Sequence, residues 1–290
     1  MADRTQTVGM GLPTLALALV LSSALLHALW NVLLGRTAPT GFDAAIAGNT
    51  IGWVALTPFA VARWRVDDAG WGYLAVSAGF SITYFLLLNV AYARAPVHAA
   101  YPVARGLAPV LVLLVTLAAG GTVPARAGLG VLVISVGILV TASGASRRSV
   151  LAATPVAVSL TCYTYVASRG LEHVDPSTYL WLSMAPLVLG SVTFRLLTKP
   201  VSPYARIARD TYVIGLGSVA AHVLTLAALA LVSEAQVPAI AALRETGILF
   251  VIALSWLTAK AHDARPTPRT ALGALFVFAG VAVLALAGNS

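Results

Sequence analysis

The sequence has few charged residues: Asp, Glu, Lys and Arg make up only 10% of its 290 residues, whereas 59% are hydrophobic. An average soluble domain has about 25% charged and roughly 45–50% apolar residues. This composition excludes an ordinary soluble globular protein. The net charge is +8, but the basic residues are scattered and form no basic face or block. The charge therefore does not indicate a nucleic-acid-binding protein.

Cysteine and catalytic motifs are almost absent. The single cysteine, Cys162, excludes an internal disulfide and a cysteine-based zinc site. The sequence has no HExxH, GxSxG or P-loop motif, and the histidines of its apolar segments lie far apart along the chain. We therefore expect no enzyme activity, no metal site, no cofactor and no direct use of ATP.

The sequence does contain a series of apolar runs about 20 residues long, each able to cross a hydrocarbon core roughly 30 Å thick. Such runs should be α-helices, because the backbone has no other partners in lipid and the alternation of a membrane barrel is missing. The first run is longer than the apolar core of a signal peptide and has no clear cleavage site. The predicted spans are 12–34, 43–62, 71–93, 97–119, 126–144, 150–169, 176–197, 211–233, 237–258 and 270–288.

The two halves of the chain are similar when the second is placed over the first. One shift superposes Arg105 on Arg244, and a slightly longer shift superposes pairs of glycines. The alternative is that any two helical halves rich in Leu, Ala and Val align this well. The superposed glycines are Gly130 with Gly273 and Gly137 with Gly280.

Because each half holds five predicted spans, an odd number, the second half must enter the membrane in the opposite orientation. The sequence thus predicts an all-α integral membrane protein with ten transmembrane helices, arranged as two inverted five-helix repeats over residues 1–146 and 147–290. This arrangement is typical of transporters, with a site between the halves near the bilayer centre.

Three charged residues, Arg105, Arg244 and Glu245, lie well inside predicted spans. An arginine near the centre of a membrane helix costs at least about 2.5–3.5 kcal/mol, so it usually faces a cavity or a partner. One acid against two bases leaves an excess positive charge that a substrate carboxylate could neutralise. Three alternatives remain: a purely structural ion network between the halves, arginines that extend to the membrane surface, and a coupling proton carried by Glu245.

Polar and aromatic residues form stripes on several predicted helices. Helical spacing places Ser23, His27, Trp30 and Asn31 on one side of the first helix. Such stripes predict a wet, substrate-binding cavity, although hydroxyls also join packed helices and aromatic rings also fill space. We further expect Pro102 to disturb the fourth helix, with Gly106 and Pro109. The other candidate substrate-binding residues on these stripes are Tyr84, Tyr101, Tyr163 and His222.

Three segments resemble the EamA-type branch of the drug/metabolite transporter superfamily: LLHALWNVLLGR at 25–36, YPVARGLAPVLV at 101–112 and ALRETGILFVIAL at 242–254. The resemblance implies two inverted five-helix repeats that move small organic solutes, often amino acids or related metabolites outward, by alternating access. It also implies that helices 3, 4, 8 and 9 line the central cavity. The candidates that this favours are Tyr84, Tyr101, Arg105, His222, Arg244 and Glu245.

The sequence departs from that family at the ends of the fourth and ninth helices. Many members carry Gly-Glu there, whereas residues 119–122 read Ala-Gly-Gly-Thr and residues 259–262 read Ala-Lys-Ala-His. Orientation is a second conflict. Connectors on the side of the termini hold five basic residues and those on the other side hold eleven. The positive-inside rule then places both termini outside, whereas the resemblance implies termini in the cytoplasm; we follow the charge count.

Together these features predict a multi-pass secondary transporter of the cell (inner) membrane, with export the favoured direction. Its substrate would be a small polar, anionic or zwitterionic metabolite, such as an amino acid or a related carboxylate. The alternatives are a flippase for a lipid-linked head group and a non-transporting membrane sensor or scaffold. The expected partners are the substrate and membrane lipid, with a coupling proton left open and no nucleic acid. The chain would be a monomer or a homodimer.

Overall fold

The computed structural model describes residues 12–36, 41–95, 97–142, 145–198, 209–258 and 267–286. These residues are helical apart from short connectors and a single isolated β-bridge. A 3-10 turn at Glu234–Gln236 precedes α9. The α-helices are α1 (Thr14–Arg36), α2 (Gly41–Ala62), α3 (Asp68–Arg94), α4 (Val97–Ala118), α5 (Ala125–Thr141), α6 (Arg147–Gly170), α7 (Pro176–Thr198), α8 (Arg209–Ala230), α9 (Val237–Arg244), α10 (Gly247–Thr258) and α11 (Pro268–Leu286).

Six of these helices are long and apolar enough to cross a membrane: α3, α4, α6, α7, α8 and α11. Large apolar side chains also cover the outside of the bundle, with Phe59 62%, Phe278 69% and Leu197 82% exposed. Lipid, and not water, suits such a surface, because soluble monomers rarely expose large continuous apolar patches. The chain is an all-α protein of the multi-pass membrane type.

The ninth predicted span, 237–258, is broken, so the prediction of one continuous helix there is wrong. The turn between α9 and α10 consists of Glu245 and Thr246, whose N–H groups donate to carbonyl oxygens three residues back, each at 3.1 Å. Gly247, just after the turn, approaches α1 so closely that a Cβ there would lie 3.1 Å from the carbonyl oxygen of Ala24. The tightened turn therefore places the charged pair Arg244 and Glu245 at the end of a helix in the middle of the bundle.

The fourth helix, by contrast, is continuous, and the predicted disturbance at Pro102 and Pro109 does not interrupt α4. After α4, Gly120 adopts a φ of +89°, and Gly121 N–H donates to the carbonyl oxygen of Thr116 at 3.0 Å. This is the Schellman type of helix end, which satisfies terminal carbonyls through a left-handed glycine. Gly120 and Gly121 thus close α4. Residues 259–262 lie outside the described residues.

The pattern of helix contacts stays the same when the two halves of the chain are exchanged. The contacts of α1 with α8 are as extensive as those of α3 with α6. Each pair joins the first helix of one half to the third helix of the other. The last helices of the halves, α5 and α11, pack against each other more extensively than any other pair of described helices.

The crossing of α5 and α11 is built from the glycines that the sequence repeat superposes. A Cβ on Gly137 would lie 2.7 Å from the carbonyl oxygen of Gly273, and one on Gly280 would lie 2.9 Å from that of Gly130. In the sequence repeat Gly130 aligns with Gly273, and Gly137 aligns with Gly280. In the structure the contacts are crosswise, because Gly137 packs against Gly273 and Gly130 packs against Gly280. A two-fold axis generates this pattern, because each surface then packs against its own copy. Close approach without side chains is also how membrane helices gain van der Waals contact.

Substituting Gly137 by Ala should separate α5 from α11, because a Cβ there meets backbone atoms of α11 at 2.7 and 2.8 Å. Overpacking of this kind costs about 1–3 kcal/mol, so the melting temperature in detergent should fall by several degrees. The matched control is Gly190→Ala on α7, where a Cβ meets nothing within 4 Å. An equal fall in both variants would contradict the tight crossing.

Candidate functional site

The centre of the bundle contains a buried network of two arginines and one glutamate. Arg105 of α4 donates from one Nη to both carboxylate oxygens of Glu245, at 3.1 and 3.3 Å. Arg244, at the end of α9, donates to Glu245 Oε1 from both Nε, at 3.1 Å, and Nη2, at 2.9 Å. The side chains are only 12%, 12% and 7% exposed for Arg105, Arg244 and Glu245. Both guanidinium groups are thus directed at one carboxylate, and not along their helices to the membrane surface.

The network carries a net positive charge, because one carboxylate is shared between two guanidinium groups. It also joins the halves of the chain, since Arg105 comes from the first half and Glu245, the carboxylate that it shares with Arg244, comes from the second. The break between α9 and α10 makes the sharing possible. It turns Glu245 back beside Arg244, although adjacent residues of a regular helix point about 100° apart.

A cavity of about 290 Å³ lies beside this network, with both arginines in its wall. Residues of both halves line it, from α1, α2, α3 and α4 on one side and α6, α7, α8 and α9 on the other. Seven of the ten predicted site residues are in the wall: His27, Trp30, Tyr84, Arg105, Tyr163, His222 and Arg244.

Two histidines connect the cavity wall to the ion network. The second Nη of Arg105 lies 3.4 Å from His27 Nε2, which must accept because a guanidinium only donates. The ring of His27 lies 4.8 Å from that of Trp30 and 6.2 Å from that of His222, centroid to centroid. His222 in turn donates from Nδ1 to the carbonyl oxygen of Ser218 at 2.8 Å. These contacts fix the two rings on facing helices α1 and α8.

Two of the other three predicted residues, Glu245 and Tyr101, are not among the residues that line the cavity. Glu245 lies behind the two arginines, and the Tyr101 ring packs against the Arg105 guanidinium, with 5.1 Å from Cζ to the ring centroid. This cation–π contact adds a second favourable interaction for the buried guanidinium. Asn31 belongs to α1, but its side chain lies outside the described part of the structure.

Sequence reasoning missed most of the apolar wall of the cavity. The whole contribution of α7 was missed, because apolar residues on an apolar helix give no distinguishing signal. Asn49 of α2 was missed as well, although an amide inside an apolar span is a signal that the sequence does show. The lining residues in question are Asn49, Phe85, Leu88, Leu160, Leu180, Met184 and Leu187.

Several hydroxyls of the predicted stripes join helices together. Ser23 Oγ donates to the carbonyl oxygen of Ala221 at 2.6 Å and lies 2.7 Å from Thr225 Oγ1, so it connects α1 to α8. On the facing side of the bundle, Ser159 donates to the carbonyl oxygen of Phe80 at 3.1 Å and connects α6 to α3. These hydroxyls serve as interhelical contacts, as the packing interpretation predicts.

One end of the bundle, where α2 ends and α3 begins, is closed by contacts between the halves. The α2–α3 connector and the α6–α7 connector meet at an antiparallel bridge between Val66 and Val174. The N–H of Asp67 donates to the carbonyl oxygen of His173 at 3.2 Å, and the N–H of Asp175 donates to that of Arg65 at 3.1 Å. We call the paired segments 65–67 and 173–175 the latch.

Side chains add to the latch. His173 Nδ1 lies 2.8 Å from Asp67 Oδ2, and this hydrogen bond holds the pKa of Asp67 below its usual range. A carboxylate with a lowered pKa stabilises the folded form above its unfolded pKa, and loses that contribution as the pH falls through the folded pKa. The contact therefore persists at neutral pH and weakens only in acid. Nearby, Glu234 accepts from Arg169 at 2.9 Å and from the Tyr165 hydroxyl at 2.7 Å.

Comparison with known proteins gives a fold but no family. No family model matches the chain, and no curated protein matches it. Among solved structures, 27 chains match. One, described only as a crystal structure of a protein, superposes with a TM-score of 0.70 over 94% of this chain and 97% of that chain, at 19% sequence identity. At that identity the similarity shows the fold alone.

The substitution Glu245→Gln should be strongly destabilising, because it leaves two buried guanidinium groups without their anion. Removing one partner of a buried ion pair costs about 3–5 kcal/mol. Arg105→Gln should cost less, because it leaves one arginine paired with one glutamate. Melting temperatures in detergent should therefore fall furthest for Glu245→Gln.

The control for this comparison is Glu234→Gln, which removes the more exposed pair with Arg169, whose side chains are 40% and 29% exposed. Such pairs contribute only about 0–1 kcal/mol. If Glu245→Gln melts at the same temperature as this control, the central network does not hold the bundle together.

Proposed function

We propose that this chain is an EamA-type secondary transporter that moves a small anionic or zwitterionic metabolite across the cell membrane by alternating access, with export as the favoured direction. One observation carries the proposal: Arg105 of the first half and Arg244 of the second bind the same carboxylate, and both arginines lie in the wall of a cavity that both halves line. A structural ion network alone would not need a cavity beside it.

The proposed architecture is ten crossings in two inverted five-helix repeats, with α9 and α10 together forming one interrupted crossing. Two observations support it. The α1–α8 and α3–α6 contacts exchange when the halves are exchanged, and the repeat-related glycines of α5 and α11 meet crosswise. Interrupted helices near the substrate site are a recurrent feature of transporters built from inverted repeats.

The latch supports alternating access. It connects the two halves at one end of the bundle through short connectors and hydrogen bonds, which can separate without unfolding a helix. A substrate in the cavity would leave toward that end after Val66 and Val174 separate. Movement of one half against the other about the central network would open the latch.

A flippase for a lipid-linked head group is the second candidate. An apolar groove of about 530 Å³ lies between α2, α7 and α8, with Arg63 and Asp175 at one end. Val219 lines both this groove and the central cavity. A flippase would need a lateral opening past Val219, and it would accelerate transbilayer movement of a fluorescent head-group lipid in liposomes. A sensor or scaffold would give neither lipid movement nor solute flux.

Replacing Arg105 or Arg244 by Ala should abolish transport and leave the protein folded, because one arginine then remains to pair with Glu245. Amino acids, nucleobases and small carboxylates are first screened by thermal shift, and each compound that stabilises the protein is tested by counterflow in proteoliposomes. The counterflow rate should fall at least tenfold in both variants. Arg94→Ala, at the exposed end of α3, is the matched control and should retain the rate. Unchanged rate and affinity in the Arg105 and Arg244 variants would show that these residues do not bind substrate.

Locking the latch should stop transport reversibly. Antiparallel bridge partners have Cα atoms about 4.5–5.5 Å apart, a separation that a disulfide can span. Val66→Cys and Val174→Cys are combined in a Cys162→Ser background and oxidised. Counterflow should be lost on oxidation and recover on reduction, while either single cysteine variant stays active. Full flux in protein that is demonstrably cross-linked would mean that the latch does not open during transport.

A further inference from the structure

The charges around the cavity distinguish between two substrate classes that the proposed function leaves together, anions and zwitterions. Among the described residues that line the cavity, none is an aspartate or a glutamate. Glu245, behind the wall, already accepts four hydrogen bonds from Arg105 and Arg244. The ammonium group of an amino acid would therefore enter a positively charged cavity with no carboxylate available to receive it.

The neutral polar groups of the wall do not replace that missing carboxylate. Asn49, Ser81 and Tyr84 are polar but uncharged. Ser23 already donates to a backbone carbonyl and is bonded to Thr225. A charge buried among such groups is unfavourable unless it is paired.

Donors for a carboxylate, in contrast, are present. Arg244 donates to Glu245 from Nε and Nη2. Among the described residues its Nη1 has no acceptor, so this nitrogen can donate to a ligand. Trp30 Nε1 is buried and has no hydrogen-bond partner in the described part of the chain. An unpaired buried donor carries a desolvation penalty that a ligand oxygen can remove. Both side chains belong to the wall of the cavity.

The part of the wall contributed by α3, α6 and α7 is largely apolar, and it limits the substrate to one charged end. A second carboxylate would lie against these residues and lose its hydration without compensation. A ring or a branched alkyl chain would replace water there favourably. The residues of this surface are Phe85, Leu88, Leu160, Leu180, Met184 and Leu187.

We propose that the cavity selects a hydrophobic monocarboxylate, with an aromatic or branched body and no amino group, over the amino acid with the same side chain. The transport of this acid rests on the function proposed above, whereas its selective binding does not. The site holds the carboxylate at Arg105, Arg244 and Trp30, and it rejects the ammonium group because the excess charge of the ion network has the same sign.

The test compares ligands that share one carbon skeleton, with purified full-length protein in detergent and calorimetric titration. The first set is 3-phenylpropionate, phenylalanine and phenethylamine, and the second is 4-methylpentanoate, leucine and 3-methylbutylamine. In at least one set the acid should bind at least tenfold more tightly than the amino acid, and neither amine should bind. Equal or tighter binding of the amino acids, binding of an amine, or failure of both acids to bind would overturn the proposal.

Two variants make the assignment specific. Trp30→Phe keeps an aromatic ring but removes the unpaired N–H, so it should weaken binding of the acid several-fold, while Trp71→Phe at the exposed start of α3 should not. Asn49→Asp supplies the missing carboxylate, so it should reduce or reverse the preference for the acid. If the ratio of the affinity for the acid to the affinity for the amino acid is the same in Asn49→Asp as in the unmodified protein, charge balance does not set the selectivity.

Binding and transport fail in different ways. Selective acid binding without flux in proteoliposomes would leave the selectivity standing and remove the transporter function. Flux with a preference for the zwitterion would leave the transporter standing and remove the selectivity.

Discussion

The structure depends on one carboxylate held between two arginines in an apolar bundle. Each of these charges alone would be costly at this depth, and the three are tolerated because every one of them has a partner. The hydrogen bonds from Arg105 to Glu245 also cross from one half of the chain to the other. The contact at the centre of the protein is thus strong and directional, and it lacks one negative charge to be neutral. A solute that brings this charge would complete it.

The rest of the fold serves to bring the two halves together around that contact. Glycines allow α5 and α11 to approach backbone to backbone, and hydroxyls such as those of Ser23 and Ser159 join helices of opposite halves. The contacts of one half are repeated by the other, and the latch, between segments 65–67 and 173–175, joins the two halves at the end of the bundle where α2 ends and α3 begins.

The sequence was sufficient for the helices and for the charged centre, because both depend on strong local signals. A run of apolar residues is long or short, and an arginine among leucines is costly wherever it points. The break before Gly247 was not predicted, because no proline lies near Glu245 and the close approach of Gly247 to Ala24 of α1 exists only in the assembled fold. Pro102 and Pro109 gave the opposite error, because the packed bundle keeps α4 helical through both.

Most of the apolar part of the cavity wall was also beyond sequence reasoning. Leu180, Met184 and Leu187 face the cavity, but they do not differ in kind from the leucines of α7 that face lipid. The latch residues Asp67 and His173 are 106 positions apart, and only the assembled fold makes them neighbours. Pairing across such a distance has no signal in a single sequence.

The central claim is that the excess positive charge of the Arg105–Glu245–Arg244 network faces a cavity that binds an acid. The most direct measurement is an experimental structure of the protein with 3-(4-bromophenyl)propionate, in which the anomalous signal of bromine locates the ring. We expect the bromine between α3 and α7 and the carboxylate within hydrogen-bond distance of Arg105 or Arg244. Bromine in the groove of α2, α7 and α8, or a cavity that stays empty at saturating ligand, would contradict this account.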